Sequence, residues 1–115
     1  MTVWQPIIDA LKAVPAFADW SVAGGWVANL ATPALIVAPT HREPATRGCA
    51  VTWSVALQLI VNVAEDDGEA MHSGLDVALA NLPPGVIVGG TDYAEDTRAG
   101  TTYRLSTTEL TLAEG

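Results

Sequence analysis

The chain has 115 residues and a mass of 12.0 kDa. That is one domain's worth, able to bury about two-thirds of its surface around a single core but too small for two domains or a deep cofactor cleft. Apolar residues make up 50% and charged residues 16%, which excludes a disordered chain. The 13 acids and 5 bases give a net charge of −8, which excludes a protein that wraps DNA with a basic face. The charge is unevenly placed. Residues 1–64 hold Asp9, Asp19 and Glu43 against Lys12, Arg42 and Arg47, and net zero; residues 65–115 hold ten acids against Arg98 and Arg104.

In chain order, residues 5–14 read as a first helix. Pro6 suits the first turn, and Ile7, Ile8, Leu11 and Val14 recur at helical spacing before Pro15 ends it. Gly24-Gly25 marks a turn between Trp20 and Trp26, with a short strand expected over Trp26–Leu30. Ala34–Ala38, between Pro33 and Pro39, reads as a buried strand, and residues 39–48 as an exposed loop. Residues 50–64 carry the strongest signal. Val51, Trp53, Val55, Leu57, Leu59, Val61 and Val63 alternate with mostly polar or small residues, a long strand.

The acids at 65–67 stop that strand and open a second helix over 67–82. Asp66 or Asp67 is expected as N-cap, with capping-box spacing from Asp66 to Glu69. Met71, Leu75, Ala78, Leu79 and Leu82 form its apolar stripe. A short strand follows at Val86–Val88, then a polar loop over 89–101 with three glycines, and a last strand from Tyr103 to about Ala113. Its apolar parity changes between Leu105 and Leu110, which points to a bulge near Ser106–Thr108. The expected fold is α+β: one domain over 1–115, a mainly antiparallel sheet, and two helices packed on one face.

Cys49 is alone, so neither a disulfide framework nor a thiolate metal cluster is expected. No basic n-region precedes an apolar run at the N-terminus, and the longest apolar stretch is interrupted by polar residues. A soluble protein with no membrane association is the expectation.

Few constellations carry chemistry. His72 and Asp76 lie four apart on the second helix, half of a metal site at most, and a solvated polar pair explains them better. His41 and Cys49 lack an orienting group for a nucleophile pair. The glycines form neither GxGxxG nor a P-loop. The acids at 65–69 lack EF-hand spacing, and capping accounts for them. Trp4, Trp20, Trp26 and Trp53, without a basic groove, read as core and interface anchors. No enzyme activity, cofactor or metal is therefore expected. A long strand, extended polar stretches and more apolar surface than one small core needs fit an assembly part.

The order PIIDALKAV, TPALIVAP, HREPATRG, CAVTWSVALQLIVNV, EAMHSGLDVALANLP, VIVGG and TTYRLSTTELTLA resembles the tail terminator (tail completion) proteins of long-tailed bacteriophages, over nearly the whole chain. The resemblance implies a structural virion protein of the tail or neck, assembled in the host cytoplasm. Such a protein forms a ring, usually a hexamer, that caps the tail tube, ends its polymerisation and joins tail to head. Its partners would be other copies of itself, the tail tube protein and a head-closure protein, with DNA passing through unbound. Under this reading Arg42 and Arg47 meet a neighbour's Asp66, Asp67 or Glu69, since heterologous contacts close rings. Asp92, Glu95, Asp96 and Arg98 form a partner-contact loop, and acids of the second half repel phosphate along the channel. Another neck component, a head-closure or connector adaptor, and a small α+β ligand-binding domain with a polar pocket near His41 or His72 are the alternatives.

Overall fold

The computed structural model describes residues 3–25, 31–43, 51–65 and 68–114. Helix α1 spans Gln5–Lys12 with Pro6 in its first turn and buries Ile7, Ile8 and Leu11. It stops two residues short of the sequence expectation because Val14, held extended at ψ 123°, precedes Pro15. A short 3-10 turn over Pro15–Phe17 then buries Phe17.

Five strands follow around the second helix: β1 (Ser21–Gly24), β2 (Ala34–Glu43), β3 (Val51–Asn62), β4 (Ile87–Arg98) and β5 (Thr101–Glu114), with α2 at Glu69–Ala80 between β3 and β4. The sheet order is β1-β2-β3-β5-β4. The β1–β2 pair is parallel and the other pairs are antiparallel. The segment Trp26–Leu30, expected as a strand, lies outside the described residues; the paired strand is its neighbour β1. Gly25, at φ +99°, turns the chain out of β1.

The long strand β3 is the centre of the sheet, and its alternation sorts the residues. Val55, Leu57, Leu59 and Val61 face both helices and join Ile7, Ile8, Leu11, Met71, Leu75 and Ala78, with Leu35, Val37 and Leu110, in one buried cluster. The fold is α+β with both helices on one face. Each fully buried Leu here contributes ~1.5–3 kcal/mol. The opposite face carries a smaller cluster of Ala34, Ile36 and Ile60 with Tyr103 and Leu105 packed against it.

That second cluster explains the parity change in β5. The β3–β5 register runs unbroken from Val51↔Glu114 to Asn62↔Tyr103, so there is no bulge at Ser106–Thr108. Leu110 packs on the helix face, whereas Tyr103 and Leu105 pack on the other. The strand changes which face it buries without changing register.

The bulges lie on the flanking strands instead. On β2 the register shifts between Pro39 and His41, where proline removes a ladder donor and the Thr40 hydroxyl donates to the Ser54 carbonyl at 3.2 Å. Past that point residues expected as loop continue as strand to Glu43. On β4 the shift falls between Val88 and Thr91, at Gly89-Gly90. The two irregularities meet adjacent β3–β5 pairs, Val55↔Leu110 and Ala56↔Glu109, so they cross the sheet at one level.

The stretch 89–101, expected as a polar loop, is mostly β4. It pairs with β5 through Thr91↔Thr108, Tyr93↔Ser106, Glu95↔Arg104 and Thr97↔Thr102. Thr91 and Thr108 hydroxyls meet at 2.7 Å and Thr97 and Thr102 at 3.0 Å. The hairpin closes through Ala99 and Gly100, both at positive φ (50° and 81°), the two-residue turn whose twist matches the strands.

Candidate assembly surfaces

The second helix begins differently from its sequence reading. Its N-cap is Gly68, at φ 102°, with no side-chain cap bond. Asp66 and Asp67, expected as caps, lie outside the described residues, and Glu69 is the acid of the first turn. A Cβ at Gly68 would lie 2.9 Å from an Arg104 guanidinium nitrogen, and the positive φ itself favours glycine here. The cation sits at the positive end of a helix, an unfavourable place. Glu95 offsets it: Arg104 Nη2 lies 3.1 Å from Glu95 Oε1.

Arg42 lies on β2, in register with Trp53 on the helix face, rather than in a loop. Its guanidinium stands 5.6 Å from the centre of the Trp53 ring. Trp53 in turn meets Trp4 edge-on at 5.1 Å. From Trp53 to Asn62 along β3 is roughly 30 Å, and Glu69 follows Gly68 at the Arg104 corner, beside the end of β3. Arg42 and Glu69 therefore sit at opposite ends of the molecule and do not meet within one chain. Arg47 lies outside the described residues.

Asp92, Glu95, Asp96 and Arg98 all lie on strand β4, not a loop, and they divide between two faces. Glu95 turns to the helix side with Arg104. Asp92, Asp96 and Arg98 take the open side, where the Arg98 Nε donates to Asp96 Oδ2 at 2.7 Å. Exposed pairs of this kind contribute about 0–1 kcal/mol, so they set surface charge more than stability.

His41 and Glu43 meet at 2.9 Å, also on the open side. A groove of about 530 Å³ follows the line of bulges across that face. Its lining includes His41, Ser54, Ala56, Asp92, Thr107 and Glu109, and Gln58 Nε2 donates to Thr107 Oγ1 at 3.1 Å beside it. His72 and Asp76 are exposed on α2, and the His72 ring packs against Tyr93 of β4 at 5.3 Å. Among the described residues no three His, Cys, Asp or Glu side chains converge as a metal site. Among the described residues no helix is long and apolar enough to cross a membrane.

Sequence reasoning placed Ile87 and Val88 in a short strand but missed its continuation through Tyr93 to Arg98, because Gly89-Gly90 and the acids obscured it. The available signal was the alternation Thr91, Tyr93, Glu95, Thr97, matching Thr108, Ser106, Arg104 and Thr102 on β5.

No family model matches the chain, and no curated protein matches it in sequence. Among solved structures the chain is similar to one from the virion of a native gene transfer agent particle. The TM-score is 0.51 at 12% identity, over 98% of this chain and 95% of that one. At that identity the likeness establishes a shared fold across essentially the whole of both chains.

Proposed function

We propose that the chain is a structural subunit of a tailed virion, located at the junction of tail and neck. It forms a ring, a hexamer, that caps the tail tube, ends its polymerisation and joins the tail to the head. The observation that carries this reading is the fold, shared from end to end with a chain of a virion particle. Arg42 and Glu69 lie apart within one chain, so any contact between them is made between different copies through different patches. In the ring, Arg42 and Arg47 of one subunit meet Asp66, Asp67 or Glu69 of the next.

The open face, with Asp92, Asp96 and Glu109, turns toward the channel. Its carboxylates repel phosphate there, so DNA passes without specific binding. The protein works by contact rather than catalysis, with the tube protein on one side of the ring and a head-closure protein on the other. Adding the purified protein to polymerising tube protein tests this. Capped tubes that stop growing and carry the protein at one end support the reading. Co-purification with filled heads alone would point to another neck component.

The open groove beside His41, lined by polar side chains including Ser54, Asp92, Thr107 and Glu109, is where a second reading, a small-ligand-binding domain, would place its ligand. A thermal-shift screen of small polar compounds separates the two. A saturable rise in melting temperature, lost on His41→Ala, would support the second reading.

A further inference from the structure

Every large hydrophobic residue that is strongly exposed among the described residues lies on one strand. Ile87 is 67% exposed, Val88 44% and Tyr93 54%, and all belong to β4. This strand is also an edge of the sheet, so its outer peptide groups form a template for a further strand. The edge is not uniform. Its second half carries Asp92, Glu95, Asp96 and Arg98, the charges that block unwanted pairing, whereas Ile87–Gly90 carries none.

The other edge of the sheet is β1, Ser21–Gly24, four uncharged residues. The Ser21 amide donates to the Pro33 carbonyl at 3.0 Å and the Gly25 amide to the Val37 carbonyl at 3.2 Å. Alternation along the strand then directs the peptide groups of Val22 and Gly24 away from β2. The two bare edges match in length and in lack of charge. Their polarity matches as well. Strand β1 runs with β2 and β5, while β4 runs with β3, so a sheet continued from β4 of one copy to β1 of the next is antiparallel at the junction.

We infer that Ile87–Gly90 of β4 pairs with Ser21–Gly24 of β1 in a second copy of this chain, so that neighbouring subunits share one sheet. The inference rests on the ring reading and puts the subunit contact at the sheet edges, in place of the charge contact of Arg42 and Arg47 with the acids near Glu69, since one neighbour cannot make both. It uses different patches on the two partners, the heterologous contact that closes by rotation.

Cysteine cross-linking tests it. Ile87 lies on the open face of β4, as Ser21 and Ala23 do on β1. A two-residue shift in register therefore still brings one of the β1 positions opposite Ile87. In a Cys49→Ser background, Ile87→Cys is combined with either Ser21→Cys or Ala23→Cys, oxidised, and compared with each single variant. Native mass is measured before oxidation, and thermal melting confirms that each variant is folded. A covalent ladder from dimer up to the ring mass in one double variant, and in neither single variant, is the expected result. Dimers from Ile87→Cys alone would indicate β4–β4 pairing and overturn the inference. An intact ring with no cross-link at either β1 position would overturn it while leaving the ring reading standing. A monomer in the native measurement would overturn both.

Discussion

Gly74 of α2 packs directly against Trp20: a Cβ built on this glycine would lie 3.1 Å from a ring carbon of Trp20 and 3.2 Å from a methyl of Leu59. The absence of a side chain lets the helix lie close on β3, with Phe17 holding the Trp20 ring edge-on at 5.3 Å. Gly74→Leu forces these groups apart, and overpacking of this kind costs about 1–3 kcal/mol. A fall in the denaturant midpoint of corresponding size is expected; an unchanged midpoint would contradict this packing.

Ser106 is fully buried on β5, and its hydroxyl has no hydrogen-bond partner. A buried hydroxyl without a partner carries its desolvation cost uncompensated. Ser106→Ala should leave stability unchanged or raise it by up to ~1 kcal/mol. A loss of more than that in chemical unfolding would mean that the hydroxyl has a partner in solution.

Ala99 occupies a left-handed conformation at φ 50° in the β4–β5 turn. An L-residue with a Cβ is strained there by roughly 1–2 kcal/mol, and asparagine tolerates the position better. Ala99→Asn should raise the melting temperature without altering the far-ultraviolet circular dichroism. A decrease would contradict the turn.

Much of the fold is legible in the sequence wherever a single face is buried. The alternation of β3 and the helical spacing of Ile7, Ile8 and Leu11 each report one apolar face, and each element forms where its pattern lies. The pattern misleads where both faces are used. Leu105 and Leu110 bury opposite sides of one continuous strand, which in sequence looks the same as a bulge. It is silent where tertiary pairing overrides composition. Gly89, Gly90 and the acids disfavour a strand, yet β5 is long enough to recruit them as its edge partner. The start of α2 is less legible: Gly68, at φ 102°, is its N-cap, a left-handed position that glycine adopts without strain and that the run of acids draws attention away from.

Arg42 and Arg47 test the subunit contact. The cation–π contact of Arg42 with Trp53 contributes about 0.5–1 kcal/mol at an exposed site, so the subunit should remain folded when that contact is removed. If the charge contact closes the ring, Arg42→Glu with Arg47→Glu lowers the assembled fraction strongly in sedimentation velocity while the melting temperature of the subunit changes by only a few degrees; if the sheet edges close it, the assembled fraction is unchanged. A ring of unchanged mass would show that these arginines do not make the contact.

The central claim is that this chain acts as a ring. Native mass spectrometry of the purified protein, with negative-stain imaging of the same sample, addresses it most directly. A closed assembly is expected, roughly 72 kDa for a hexamer of the 12.0 kDa chain, with an open channel at its centre. A 12.0 kDa monomer at every concentration tested, with no rings on the grid, would contradict it.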